Sequence, residues 1–326
     1  MSKFSVTIIG LGNIGMLYDF ENNSNNVFLS HFKSFNHHDD FEVVNVVDND
    51  NNKLLKVTEK FGEKIKVFKN IDDIIEITDV VVLSSVFKVN YAIFNKLKTN
   101  DKIKLIFIEK PFWNETNIFS EIDLNSNKFY INYFRKSIPF FRKLKVNIND
   151  EMFGNVLGVH AYYSKGLKNN GSHIIDLVNY FFGNNCDLNS IKTINDVEDF
   201  TKKDKSISFS MKYIHKGNKF PVIFQAVNEK YFSVIEIDLF FEKNRFRICD
   251  FGSKVEIYET REDELFPGYK NMIHNKNVNT DFNKYGLHNC NLINDVLNNN
   301  EVNNSKLICE RDINNIINKV KNEISN

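Results

Sequence analysis

Three glycines set directly behind a short apolar run constrain this chain more than any other feature. Residues 4–15 read Phe-Ser-Val-Thr-Ile-Ile-Gly-Leu-Gly-Asn-Ile-Gly, a strand that breaks into a G-x-G-x-x-G turn at Gly10, Gly12 and Gly15. The first glycine allows a tight turn out of the strand. The second lets backbone approach a pyrophosphate with no Cβ in the way, and the third lets the following helix sit close against the sheet. The start of that helix offers unpaired N–H groups to an anion. Gly10, Gly12, Asn13, Ile14 and Gly15 are therefore expected to hold a dinucleotide. Glycines at this spacing also occur in ordinary strand turns, but here they follow a strand-like run near residue 1.

A chain of 326 residues, 42% of them hydrophobic, can bury a sizeable core and suggests about two domains. Lysine plus arginine equals aspartate plus glutamate at 42 each, which argues against a dedicated nucleic-acid binder. The apolar run Val6 to Ile9 is too short for a signal peptide, and no stretch approaches the length of a membrane span. Cys186, Cys249, Cys290 and Cys309 are scattered without a C-x-x-C pair, so no metal site or disulfide framework is expected and a reduced cytoplasm fits.

Along the chain, the helix after Gly15 is interrupted by the polar run Glu21 to Asn26, read as an inserted surface loop, before Val27 to Phe35 resumes an apolar pattern. Phe41 to Val47 is the second strand, and Asp48 stands at its end. An acid there accepts the ribose hydroxyls of an adenosine and repels a 2′-phosphate, which favours NAD over NADP. The gap from the glycines exceeds the usual spacing of about 20 residues, as an inserted loop requires. A plain turn aspartate is the alternative. A helix over 52–61, a strand over 65–68, a helix near 71–77, a strand over 79–84 that ends at Ser84, a helix over 90–97 and a strand over 103–108 follow. Strands alternating with short helices imply an α/β Rossmann domain with a doubly wound parallel sheet, placed at residues 1–120. Ligands of such sheets sit beyond the C-terminal strand ends, so Ser84, Glu109 and Lys110 join the residues expected at the cofactor.

The strand ending at Ile108 runs into Glu109-Lys110-Pro111, and this tripeptide after a Rossmann half resembles the glucose-fructose oxidoreductase, inositol dehydrogenase and MocA family. Two further stretches are similar to that family. Tyr130 to Pro139 resembles its strand into an asparagine- and arginine-containing turn, and Tyr162 to Leu177 resembles its active-site helix, especially in members of bacterial surface-polysaccharide and nucleotide-sugar pathways. The resemblance spans most of the chain. It implies hydride transfer between nicotinamide and a hydroxyl or keto group of a sugar, free or nucleotide-activated, a Lys110–Pro111 bond that is often cis, and a homo-oligomer, a dimer among relatives, formed through the C-terminal sheet. It also leaves two alternatives open, a reductase of a non-sugar substrate and a sensor or repressor that binds dinucleotide without turnover.

Oxidising a sugar alcohol requires a hydride acceptor at carbon and a base for the hydroxyl proton. Lys110 stands where a strand end meets the nicotinamide, and desolvation there lowers a lysine pKa toward a useful range. His173 opens a helix whose buried stripe is Ile174, Leu177, Val178, Phe181 and Phe182. A histidine in a first turn tends to be neutral, which suits a proton acceptor. Asp176 lies three residues on, where it orients the ring or balances the helix charge. Family members often carry an aspartate where this chain has Asn169, so the division of labour between Lys110 and His173 stays open. The resemblance places Arg135 and Lys165 near the cleft as phosphate partners, with Asn132, Tyr133, Asn169 and Asp176 beside the substrate.

Residues 121–326 form an α+β substrate and oligomerisation domain. Strands are expected at 206–213, 220–227, 231–241, 245–250 and 254–259, in a large, mainly antiparallel sheet covered on one face by the His173 helix. Residues 262–280 read as a polar loop and a lid over the substrate. Helices over 287–297 and 312–324 close the chain, the last packing near the domain junction.

Overall fold

The computed structural model describes residues 3–74, 77–112 and 122–324. Two compact units result, Met1–Ser137 with Asn283–Arg311, and Ile138–Phe282 with Asp312–Asn326.

The first unit is built on strands β1 (Phe4–Ile9), β2 (Phe41–Val47), β3 (Lys66–Phe68), β4 (Val80–Leu83), β5 (Leu105–Glu109) and β6 (Phe129–Asn132). They lie in the order β3-β2-β1-β4-β5-β6, and every neighbouring pair is parallel. All four residues of β4 are buried, as are Leu105–Ile108, the near-continuous apolar pattern of a sheet covered on both faces. Ile9 pairs with both Val47 and Leu83, so the C-terminal ends of β1, β2 and β4 are level at the point where strand order reverses. The unit extends beyond residue 120 because β6 pairs with β5 and completes the sheet.

Helices α1 (His31–His37), α2 (Asn51–Phe61) and α3 (Phe87–Leu97) belong to this unit. Ser30 caps α1 by accepting from the Lys33 N–H, and Asp50 caps α2 by accepting from the Asn52 N–H. Phe32 and Phe35 of α1 join Phe41, Phe107 and Tyr130 in the core. The expected helix near 71–77 is reduced to a 3₁₀ turn at Ile71–Asp73, while residues 75 and 76 lie outside the described residues. The insertion closes around Asp19, only 2% exposed, whose carboxylate accepts from the N–H groups of Leu29 (2.6 Å) and Ser30 (3.3 Å) and from the Ser30 hydroxyl.

The second unit carries α4 (Pro139–Asn149), β7 (Val156–Tyr163), α5 (Ser172–Phe182), β8 (Cys186–Thr201), β9 (Asp204–His215), β10 (Asn218–Ala226), β11 (Ile235–Phe241), β12 (Asn244–Cys249), β13 (Lys254–Glu262) and β14 (Lys270–Asn279). Its eight strands run β14-β13-β12-β11-β7-β10-β9-β8, antiparallel except for the β7–β10 pair. In β10, Phe220, Val222 and Phe224 are buried between exposed neighbours, the period of a half-buried strand. Phe224 stacks on Phe209 at 4.4 Å. Helix α5 packs on this face, with Phe182 edge-on to Phe220 at 5.1 Å and Asn179 accepting from the Tyr213 hydroxyl at 2.7 Å.

One expectation is overturned in this unit. Residues 262–280 are not a lid loop, because 270–279 form strand β14, antiparallel to β13 along its whole length. Two helices close the sequence, α6 (Tyr285–Leu297) and α7 (Leu307–Ile324). Among the described residues, no helix is long and apolar enough to cross a membrane.

Candidate functional site

The glycine turn divides its labour as the spacing requires. Gly10 has φ +92°, and a Cβ there would meet the Ser85 nitrogen at 2.7 Å. A Cβ on Gly15 would come within 2.0 Å of the Gly10 carbonyl oxygen, so the turn closes on itself only with hydrogen at that position. Around Gly12 a Cβ would meet nothing within 4 Å. The turn therefore faces open space at the position where a pyrophosphate approaches, which fits a dinucleotide. Asn13, Ile14 and Gly15 continue as one π-helical turn, Asn13–Leu17, with Gly12 as an N-cap that lacks a side-chain hydrogen bond.

Two sequence-predicted residues brace this turn. Asp48 is 7% exposed, and its Oδ2 accepts from the Leu11 N–H at 2.6 Å while Oδ1 accepts from the Asp50 N–H at 2.9 Å. Lys53 stands 3.2 Å away as its ion-pair partner. The carboxylate thus links the end of β2 to the glycine turn. The Ser84 hydroxyl donates toward the carbonyls of Ile9 (3.0 Å) and Gly10 (2.8 Å), which fixes the end of β1 to the end of β4. Asn90, 1% exposed and not anticipated, accepts from the Ser85 N–H and donates to the carbonyls of Leu83 and Ser85, holding the β4–α3 turn.

At the end of β5 the Lys110–Pro111 peptide is cis. Both flanks of Lys110 are held by buried groups. Glu109 Oε1 accepts from the Asn132 amide at 2.6 Å and lies 2.7 Å from His31 Nε2. A carboxylate can only accept, so the proton of the latter bond resides on His31 Nε2. Asn289 of α6 then donates to Asn132 Oδ1 at 3.0 Å. His31, Asn132 and Asn289 are each at most 3% exposed. On the other flank Phe112 is fully buried, with its ring 5.0 Å from that of Phe94, and its N–H donates to Glu310 Oε1 at 3.1 Å. Glu310 Oε2 accepts from the Tyr133 hydroxyl at 2.7 Å. Tyr133 is 1% exposed, so its hydroxyl faces the protein interior. Arg135 is 4% exposed, with its guanidinium over the Phe134 ring at 4.7 Å. His31, Asn289 and Glu310 were not singled out in the sequence, since each lies 78 or more residues from the partner it holds.

In the second unit the segment before α5 is a π-helical turn, Gly166–Gly171, entered through Lys165 in the left-handed region at φ 70°. Carboxylates from the β8–β9 hairpin hold it. Asp199 accepts from the Lys165 N–H at 2.6 Å, and the Ser206 hydroxyl oxygen accepts from the Gly166 N–H at 2.8 Å. Asp204 accepts from the N–H groups of Lys168 (2.8 Å) and Asn169 (3.0 Å). A Cβ on Gly166 would meet Asp204 Oδ2 at 2.3 Å, so glycine is required where the carboxylate approaches. The Tyr163 hydroxyl, donating to the Ile207 carbonyl and accepting from the Ile207 N–H, pins the strand that feeds the turn. Burial pushes this phenol well above its ordinary pKa, which keeps it neutral.

Of the residues expected at the substrate, Asn169 donates to the Lys165 carbonyl at 3.1 Å and the Lys165 ammonium lies 3.5 Å from Glu229. His173 is half-buried in the first turn of α5 and Asp176 is 2% exposed. The expected stripe of Ile174, Leu177, Val178, Phe181 and Phe182 is buried throughout. Lys110 belongs to the first unit and His173 to the second.

Comparison with known proteins agrees with this geometry. Residues 4–122 match the model of an oxidoreductase family with an NAD-binding Rossmann fold. No curated protein matches the chain. Among solved structures, the chain is similar to a dehydrogenase (MviM) from Clostridium difficile, at 17% identity and TM-score 0.67 over 97% of this chain and 99% of that one. It is also similar to a myo-inositol dehydrogenase from Corynebacterium glutamicum, at 11% identity and TM-score 0.66 over 99% and 96% of the two chains. A third is an oxidoreductase from Agrobacterium radiobacter solved with NAD+, L-tartaric acid and magnesium, at 11% identity and TM-score 0.66 over 100% and 97%. At these identities the likeness shows a shared fold.

Proposed function

We propose, from the match of residues 4–122 to the Gfo/Idh/MocA family of NAD-binding oxidoreductases, that the protein transfers hydride between NAD and a hydroxyl or keto group of a sugar, free or nucleotide-activated, in surface-polysaccharide biosynthesis. The observation that carries this reading is Lys110, directly after the C-terminal end of β5 and between two held residues, Glu109 and Phe112. When bound, the nicotinamide supplies the hydride acceptor or donor. Lys110 and His173 then exchange the hydroxyl proton of the substrate. Arg135, Lys165, Asn169 and Asp176 are assigned to the substrate side, where Arg135 and Lys165 suit the phosphates of an activated sugar, whereas Tyr133, expected there from the sequence, spends its hydroxyl on buried Glu310.

Asp48 supports NAD over NADP, because its carboxylate is fixed at the end of β2 beside the glycine turn, where it repels a 2′-phosphate. We propose that two copies pair through the second unit's sheet, on the face where Arg245 pairs with Asp238 and Arg247 with Glu236 within each chain. Sedimentation of the purified chain tests this pairing, and a monomer at all concentrations contradicts it. The cytoplasm, where NAD is abundant and thiols stay reduced, is the proposed location.

The functional reading is tested by the absorbance and fluorescence of purified protein with NAD, before and after addition of UDP-, GDP- and CMP-linked sugars. The reduced-nicotinamide band should rise with one class of sugar. Dinucleotide that binds but never changes redox state under any of them would move the protein to the non-catalytic sensors.

A further inference from the structure

We infer that Glu310 is a positioning residue for Lys110, acting through the backbone of Phe112. This inference rests on the assignment of Lys110 to proton transfer. Lys110 is separated from Phe112 by Pro111, which has no N–H to donate. The first backbone N–H after Lys110 is therefore that of Phe112, and it donates to Glu310 Oε1 at 3.1 Å. The Phe112 side chain is fully buried, its ring centroid 6.0, 6.3 and 5.0 Å from those of Phe87, Tyr91 and Phe94 on α3. Ring and N–H together fix the residue in position and in rotation about the chain. On the other side, Glu109 is fixed by His31 and Asn132. Lys110 is thus strung between two anchored neighbours, and its stem leaves the strand from a point with little freedom.

Glu310 is suited to this task by burial and by its second bond. It is 1% exposed and sits in the first turn of α7, where the positive end of the helix favours a carboxylate. Its other oxygen accepts from the Tyr133 hydroxyl, and Tyr133 directly follows Asn132, the partner of Glu109. The two anchors of Lys110 are therefore joined through consecutive residues at the end of β6. Residues 283–311, which belong to the first unit although they follow the whole second sheet, supply Asn289 to one anchor and Glu310 to the other. The return of the chain to the first unit brings these two side chains to the strand end that carries Lys110.

Competitive acetylation of the full-length chain with acetic anhydride tests the inference without any substrate. The Lys110 peptide is compared by mass spectrometry with the other lysine peptides of the same sample, which report that the fold is kept. Glu310→Gln keeps the length and an acceptor for the Phe112 N–H, whereas Glu310→Asp keeps the charge but retracts it by about 1.5 Å. Positioning predicts that Glu310→Asp and Glu310→Ala change Lys110 reactivity about tenfold, while Glu310→Gln stays within about twofold of the parent. Unchanged Lys110 reactivity in Glu310→Asp, or a Gln variant altered as much as the Asp variant, overturns the inference. If Glu310→Ala does not fold, the Asp and Gln ranking still decides. Protection of Lys110 by added NAD is read separately. Its absence in the parent protein counts against the cofactor assignment and leaves the ranking intact.

Discussion

The glycine turn of the first unit and the Gly166–Gly171 turn of the second are both built around backbone N–H groups, but they differ in what stands opposite those groups. In the second turn the N–H groups of Lys165, Gly166, Lys168 and Asn169 are taken up by Asp199, Ser206 and Asp204. In the first, Gly12 faces open space and the turn has no side-chain cap, while Asp48 holds the Leu11 N–H from beneath. One turn is closed by the protein's own anions, and the other is left for an anion from outside. Helix-like turns of similar length thus differ in their surroundings, one filled by the chain's own side chains and the other open at Gly12, within the stretch that matches an NAD-binding Rossmann fold.

The comparison is broken most severely at Gly15. Gly15→Val places a side chain on the Gly10 carbonyl, and a loss of at least about 3 kcal/mol is expected in a thermal or urea melt. Gly12→Ala, which meets no protein atom within 4 Å, should melt like the parent while binding NAD more weakly. Equal effects of the two on stability would remove the distinction drawn between them.

Next in size are Lys110→Ala and His173→Ala, expected to lower turnover about 10²–10⁴-fold. Cofactor affinity by fluorescence titration should stay within about threefold, since neither side chain is needed to form the glycine turn. A variant that keeps full turnover is not a proton-transfer residue.

Asp204→Ala should leave the Lys168 and Asn169 N–H groups without their carboxylate, at a cost of about 1–3 kcal/mol. Hydrogen exchange should accelerate in the peptide covering 165–171 and not in the one covering 10–17. A uniform rise across both would mean that the hairpin stabilises the whole chain rather than this turn. Asp48→Asn is expected to narrow the preference for NAD over NADP by about tenfold, checked by parallel titrations with the two cofactors.

The smallest effect concerns Asp79, which accepts from the Ser5 N–H and hydroxyl and pairs with Lys104. Burial pushes its pKa up, but the hydrogen bonds to Lys104 and Ser5 outweigh burial and hold it below the ordinary carboxylate value. The contribution is complete above the unfolded-state value and disappears as pH falls through the lowered folded-state value. Asp79→Asn should therefore lower the melting temperature slightly at neutral pH, with the difference vanishing in acid. A gap that persists at the lowest pH would assign the effect to the side-chain amide itself.

Most strands were legible in the sequence, including the edge strand β3 of the first sheet, but the two edges of the second sheet and its internal strand β7 were not. The runs Val80–Leu83 and Leu105–Ile108 are apolar throughout because the sheet is covered on both faces, and β10 shows buried and exposed residues in turn. β8 and β14 are the two edges of the second sheet. Nine of the ten residues of β14 are exposed, so no alternation marks it. β8 changes register against β9 at three places, which erases the period of two. In the site, the residues at strand ends, Asp48, Ser84, Glu109 and Lys110, could be located because the parallel order dictates where strands stop. Their supports could not. Glu310 lies 198 residues from Phe112 and Asp204 lies 35 from Asn169, and nothing local to either carboxylate announces its partner.

The most direct test of the central claim is the fate of a labelled hydride. The protein is incubated with NADH deuterated at the nicotinamide C4 and the keto forms of the sugars that respond in the absorbance assay, and the product is examined by NMR. The account predicts deuterium at a single sugar carbon with the parent protein and its loss with Lys110→Ala. Sugar that acquires no deuterium while NADH stays bound and unoxidised would contradict it.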